Sequence, residues 1–108
     1  MVVLDTSVVI EKVKRKEKIG ENITAVTFVE YPRIVFYKEF YGKILFPDIE
    51  DFVLAHKIQS RLVKLGKAKT FADLLIASIC INRNEELITK DSDFKDIANV
   101  SELKLRLL

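Results

Sequence analysis

Asp5, Glu30, Asp73 and Asp91 are the residues of this chain whose types and spacing could do chemistry. Asp5 follows the apolar run Val2, Val3, Leu4, and Asp91 follows Leu87, Ile88, Thr89, Lys90, so each closes a predicted short strand. In an open parallel sheet, that carboxyl edge is where ligands bind. Glu30 and Asp73 fall at predicted helix starts, Glu30 after a strand and Asp73 on a strongly apolar helix, from which both could reach the same cleft. Carboxylates gathered in one cleft repel and resist desolvation, so they either protonate or bind a cation, and hard oxygen ligands suit Mg²⁺ or Mn²⁺. Asp5, Asp73 and Asp91 are the candidate ligands. Glu30 is either a ligand or an outer partner that holds a water.

Each acid also has a plainer reading. Glu30 and Asp73 follow Thr27 and Thr70 by three positions, which is capping-box spacing, and acids are favourable near helix N-termini in any case. Asp5 and Asp91 also fit strand-end turns, and Asp93 and Asp96 fit loop or cap positions with solvated carboxylates.

The elements that must position these side chains follow from apolar periodicity. Val2 to Leu4 reads as a buried parallel strand. From Ser7, the positions Val8, Val9 and Val13 predict a short helix that Gly20 helps to terminate, and Asn22 to Val26 predicts a second strand. Thr27 and Glu30 then open a helix through Phe40 toward Gly42, with Pro32 near its start. Pro47 and Asp48 open an amphipathic helix carrying Phe52, Ala55, Ile58, Leu62 and Leu65, closed by Gly66. Thr70 and Asp73 precede Leu74, Leu75, Ile76, Ala77, Ile79 and Cys80, a helix apolar on nearly every face that should lie deep. Leu87 and Ile88 form a strand, and Leu103, Leu105 and Leu107 alternate with Lys104 and Arg106 as a half-exposed one. The expectation is one α/β domain over residues 1–108, with a mainly parallel sheet between helices.

Composition narrows the function classes. With 49% apolar and 31% charged residues the chain is too apolar for disorder. Its longest apolar runs fall far short of the ~20 residues that a bilayer requires. The start, Met1 to Leu4, has no basic n-region or small-residue cleavage site, which gives the expectation of a cytoplasmic protein. A net charge of +2 is too near neutrality to declare a polyanion partner. The basic cluster Lys12, Lys14, Arg15, Lys16 and Lys18 reads either as phosphate contacts or as a solvated helix face. Cys80 is the only cysteine, so neither an internal disulfide nor a cysteine zinc site can form, and its neighbours predict a buried, inert thiol. His56, the only histidine, lies in a predicted helix and reads as solvent-facing or packed, which argues against histidine-based catalysis.

Four motifs in order, Leu-Asp-Thr-Ser at 4–7, Thr-Phe-Val-Glu at 27–30, Ala-Asp-Leu-Leu-Ile-Ala at 72–77 and Thr-Lys-Asp-Ser-Asp-Phe at 89–94, resemble those of PIN domains. More narrowly, the chain resembles the compact VapC toxins of VapBC toxin–antitoxin systems from Val2 to about Phe94. The resemblance implies a three-layer α/β/α sandwich, endoribonuclease activity on RNA with Mg²⁺ or Mn²⁺, a homodimer and a cognate VapB-like antitoxin. It carries Asp5, Glu30, Asp73 and Asp91 into the family's acidic positions. Thr6 or Ser7, and Thr89, match hydroxyl positions that could orient a carboxylate or a water, and Asp93 matches an auxiliary acid. The Tyr- and Phe-rich segment from Tyr31 to Phe46 reads as a dimer interface or as ordinary core. The span between Glu30 and Asp73 is short for the family, which implies a trimmed helical region.

Metal-assisted hydrolysis of a phosphodiester is the mechanism these residues suggest. Two rivals remain: a non-catalytic RNA- or partner-binding module of the same fold, and a phosphoacceptor or phosphatase-like domain built on Asp5. Against the latter, Asp5 lacks an Asp-x-Asp pattern and no lysine follows a later strand in receiver-like context.

Overall fold

The computed structural model describes residues 1–108. Its strands are β1 (Val2–Leu4), β2 (Ile23–Thr24), β3 (Ile44–Leu45), β4 (Glu86–Thr89) and β5 (Lys104–Leu107). The helices are α1 (Thr6–Lys14), α2 (Ala25–Glu30), α3 (Ile49–Lys64), α4 (Phe71–Asn82) and α5 (Phe94–Asn99), with a 3-10 turn at Pro32–Phe36. Strands β1, β4 and β5 pair in parallel in the order β1-β4-β5, and β2 pairs in parallel with β3. A parallel bridge between Val3 and Asn22 joins the two sets, which gives the spatial order β3-β2-β1-β4-β5.

Side-chain alternation along the strands divides the interior in two. Leu4 and Ile88 face Val8 and Val9 of α1, together with Ile19, Ile23 and Ile34. Val3 and Leu87 face the opposite way, onto Ile58 and Leu62 of α3, Ile76, Ala77 and Cys80 of α4, and Phe94 and Ile97 of α5. The result is an α/β/α sandwich with a parallel central sheet. No helix is long and apolar enough to cross a membrane.

Several boundaries differ from expectation. Helix α1 stops before Gly20: Lys16 turns the chain with φ of 57° and its N–H bonds Val13 O at 3.0 Å. The second strand is two residues long because Thr24, not Thr27, caps α2, its hydroxyl accepting from the Val26 N–H at 3.2 Å. Glu30 therefore ends α2 instead of opening it, and the predicted helix to Phe40 is replaced by the 3-10 turn. Strand β3 and helix α5 were not expected. Gly42 allows β3 to approach, since a Cβ there would lie 1.8 Å from the Glu21 carbonyl oxygen. The segment from Tyr31 to Phe46 is mixed: Tyr31, Tyr37 and Phe40 pack on the α1 side of the core, while Phe36, Tyr41 and Phe46 are exposed.

Helices α3 and α4 follow the sequence reading, and a buried ion pair fixes how they meet. Asp51 and Asp48 form a reciprocal capping box at the start of α3. The Asp51 carboxylate is fully buried and receives both terminal nitrogens of Arg83 at 3.0 Å and the Asn82 amide at 2.8 Å. Burial alone would raise its pKa, yet the bonds from Arg83, the Asp48 N–H and Asn82 hold it below the ordinary carboxylate value. This clamp ties the N-terminus of α3 to the C-terminus of α4. We expect Arg83→Met to destabilise the protein by about 3 kcal/mol in urea melts, because it leaves a buried carboxylate without its cation. A loss within experimental error would show that the clamp is dispensable.

Candidate metal centre

Asp5 leaves β1 and begins α1. Its Oδ1 accepts the Thr6 N–H at 2.9 Å as the helix cap, and its Oδ2 accepts the Thr89 hydroxyl at 2.7 Å from the end of β4. The Asp5 N–H donates to Ile88 O at 2.9 Å, so its backbone is fixed across the same junction. Burial pushes the Asp5 carboxyl above its ordinary value. The bonds from Thr89 and Thr6 oppose that, and the charges of Glu30 and Asp91 add to it.

Asp91 follows β4 and is held in a tight turn: its N–H donates to Thr89 Oγ1 at 3.0 Å, and its Oδ1 accepts the Asp93 N–H at 2.9 Å. Asp73 comes from the first turn of α4. Thr70 caps that helix through its hydroxyl, which accepts the Asp73 N–H at 3.2 Å. One carboxylate oxygen from each of Asp73, Asp91 and Asp93 lies within 4.8 Å of the others. Burial, foremost, and then the charge of Asp91 push the Asp73 carboxyl up to about 6, with Asp5 and Asp93 contributing. Three carboxylates this close, two of them partly buried, make a site short of positive charge.

Glu30 reaches the cluster indirectly. Its Oε1 accepts the Thr6 hydroxyl at 2.7 Å, and the same hydroxyl lies 2.8 Å from Thr27 Oγ1. Of the two hydroxyls at 6 and 7, Thr6 makes these contacts while Ser7 is exposed. Thr27, read from sequence as a cap, is instead a buried member of this chain of hydroxyls.

Lys69 was not singled out from sequence. Its side chain, only 12% exposed, lies 2.8 Å from Asp96 and 3.8 Å from Asp93. A lysine in a polar loop gives no local signal, and the acids it meets belong to the unexpected helix α5 and the turn before it. The remaining expectations concern residues away from the cleft. His56 is exposed on α3, and burial pushes the Cys80 thiol up to about 12, consistent with inertness. Lys12 and Arg15 pair with Glu11 and Glu17 at the surface.

A PIN domain family model matches residues 2–100. A search of curated proteins finds no match. Among solved structures, the chain resembles one in Rickettsia felis VapBC2 bound to promoter DNA, with a TM-score of 0.77, 18% identity, and 99% of this chain and 98% of that chain covered. It likewise resembles a chain of Neisseria gonorrhoeae FitAcB, at a TM-score of 0.76 and 20% identity, covering 97% and 96%. A third is Mycobacterium tuberculosis VapBC-5, a member of the VapBC family of toxin–antitoxin systems, at 0.74 and 20%, covering 99% and 98%.

The raised pKa of Asp73 fixes the sign of a stability change. A folded value near 6 against an ordinary 3.8 means that the native state holds a proton which the unfolded chain releases. Native stability therefore falls as pH rises through that window, and the cost is absent below it. We expect Asp73→Asn in chelator to stabilise the protein by about 1 kcal/mol at pH 7, after discounting for solvent screening, and to change little near pH 3.5. The Thr70 cap survives because it uses the residue's backbone. Excess Mg²⁺ should raise the melting temperature of the wild type and not of the variant. Equal Mg²⁺ gains with the variant less stable throughout would remove Asp73 from the site.

Proposed function

This chain belongs to the PIN-domain family, and on that premise we propose that it is a divalent-metal-dependent endoribonuclease, acting as the toxin of a VapBC-type pair. Residues 1–108 would form one nuclease domain working in the cytoplasm. The observation that carries the reading is the convergence of Asp73, Asp91 and Asp93 within 4.8 Å beside Asp5. These donors fit Mg²⁺ or Mn²⁺: they are all hard carboxylate oxygens, and the cluster lacks enough positive charge to keep Asp73 ionised as readily as in water. Asp5, Asp73 and Asp91 would hold the ion, with Glu30 as a further ligand or outer partner and Asp93 as an auxiliary acid. A bound ion would lower the pKa of a water and offset charge developing on the scissile phosphate.

The chain's own residues supply position. Thr89 fixes Asp5 through Oδ2 and Asp91 through its backbone N–H, so one hydroxyl sets the spacing of two carboxylates. Thr6 orients Glu30 through Oε1, which leaves the other oxygen of this exposed side chain to a water.

The family and the exposed surface support a reading of the partners. Val29, Phe36, Ile49 and Phe71 are large apolar side chains at least 64% exposed, apolar surface that a second copy of the chain and a VapB-like antitoxin would cover. A basic or amphipathic antitoxin segment over the acidic cleft would put a positive side chain where the metal binds.

The purified protein is expected to cleave single-stranded RNA slowly with Mg²⁺ or Mn²⁺ and to stop on chelation. Asp5→Asn should be inactive, which also controls for contaminating nuclease. Thr89→Val should lose roughly 10- to 100-fold in activity by freeing Asp5. Cleavage in chelator by clean protein would sink the reading, and metal binding without RNA cleavage would favour a binding module instead. Light scattering should give a dimer; monomer alone at high micromolar concentration would count against it.

A further inference from the structure

The acidic cleft carries a cation of its own. Among Asp5, Glu30, Asp73, Asp91 and Asp93, only Asp93 makes an ion pair, and its partner is Lys69 at 3.8 Å. The same ammonium bonds Asp96 on α5 at 2.8 Å, and Asp96 is also approached by Lys67 at 3.4 Å. Lys69 is far less exposed than Asp93, 12% against 61%, so its field acts on the cluster with less screening than a surface lysine's would.

Residue 69 is also held from behind. Its N–H donates to Gln59 Oε1 at 3.0 Å and its carbonyl accepts Gln59 Nε2 at 2.8 Å, so a single amide side chain on α3 grips the backbone from both sides. With the backbone pinned and the ammonium anchored on Asp96, the charge stands at a fixed place four residues before Asp73. An ion pair with a mostly exposed carboxylate adds little to stability. A fixed positive charge at the edge of a carboxylate cluster nevertheless changes what that cluster binds.

We propose that Lys69 is a positioning residue that acts as a resident cation: it holds Asp93, competes with divalent metal at that end of the cluster, and keeps metal affinity down. The inference rests on the metal-centre reading above. Without the ammonium, the Asp93 carboxylate, already within 4.8 Å of Asp73 and Asp91, would lose its competing cation, and repulsion between Lys69 and an incoming divalent ion would vanish. Both effects point to tighter binding. For a charge several ångströms from the ion in a partly solvated cleft, the expected change is roughly tenfold in Kd.

Mn²⁺ titration of the full chain, followed by the electron paramagnetic resonance signal of the free ion, tests this. Lys69→Met should bind Mn²⁺ roughly tenfold more tightly than wild type, while Lys69→Arg, which keeps the charge, should stay close to wild type. In an Asp93→Asn background, the gain from Lys69→Met should shrink, because the carboxylate that Lys69 holds has lost its charge. Thermal melts of each variant in chelator establish that it is folded. A purely structural lysine predicts the opposite sign, since a loosened α4–α5 junction would scatter the ligands and weaken Mn²⁺. An unchanged or weaker Kd in folded Lys69→Met, or an undiminished gain in the Asp93→Asn background, overturns the proposal alone. Should Lys69→Met not fold, Lys69→Gln gives the same comparison. Failure of wild type and all variants to bind Mn²⁺ overturns it together with the metal-centre reading.

Discussion

The Thr89 hydroxyl donates to Asp5 Oδ2 across the ends of β4 and β1, and most of the site's geometry depends on that 2.7 Å bond. From β1 the chain builds the sheet outward through β2 and β3; from β4 it builds the other way through β5. The strand order thus reverses between β1 and β4, the kind of junction where parallel sheets open a crevice at their carboxyl edge. Asp5 commits its N–H to Ile88, Oδ1 to the first turn of α1 and Oδ2 to Thr89. A shift of β1 against β4 by one residue would turn the side chains of β1 to the opposite faces and break the bonds to Ile88 and Thr89 together.

Holding like charges together opposes folding, and the packing around the acids bears that cost. Asp73 is held by α4, in which every residue from Leu74 to Cys80 is buried. A helix anchored on one face could rock outward to relieve repulsion; one enclosed on nearly all sides and clamped through Arg83 to α3 cannot do so cheaply. Asp5 is anchored by strand pairing instead, between Leu4 and Val8 of one apolar cluster. Asp5 and Asp73 thus project from deeply packed elements, while the exposed acids Glu30 and Asp93 lie at a helix end and in a turn.

The strands ending at Asp5 and Asp91, the amphipathic α3 and the buried α4 were legible because each carries its signal locally, in apolar runs and in the caps Asp48 and Thr70. Two-residue strands carry almost no such signal. Strand β3 exists because Gly42 admits the Glu21 carbonyl and Ile44 finds Ile23 beside it, which are contacts between distant parts of the chain. Thr24 and Thr27 are both plausible caps by type, and tertiary burial of Thr27 against Thr6 decided between them. Lys69 was illegible for the same reason: its meaning comes from Asp93 and Asp96, more than twenty positions away.

The fold also bears on whether the middle acids are there to serve their helices. Glu30 is the last residue of α2, the end at which the helix dipole disfavours a carboxylate, so helix stability does not account for it. Asp73 does lie in a first turn, where the dipole favours negative charge, yet burial and Asp91 push its pKa the other way and prevail. Thr70 already supplies the cap, by a bond to the Asp73 backbone that any residue but proline could make. Both instead face other polar groups of the cleft: Glu30 meets Thr6 beside Asp5, and Asp73 meets Asp91 and Asp93. Helix capping explains neither carboxylate. The proposed metal centre gives each a role, Asp73 as a ligand and Glu30 as an outer partner.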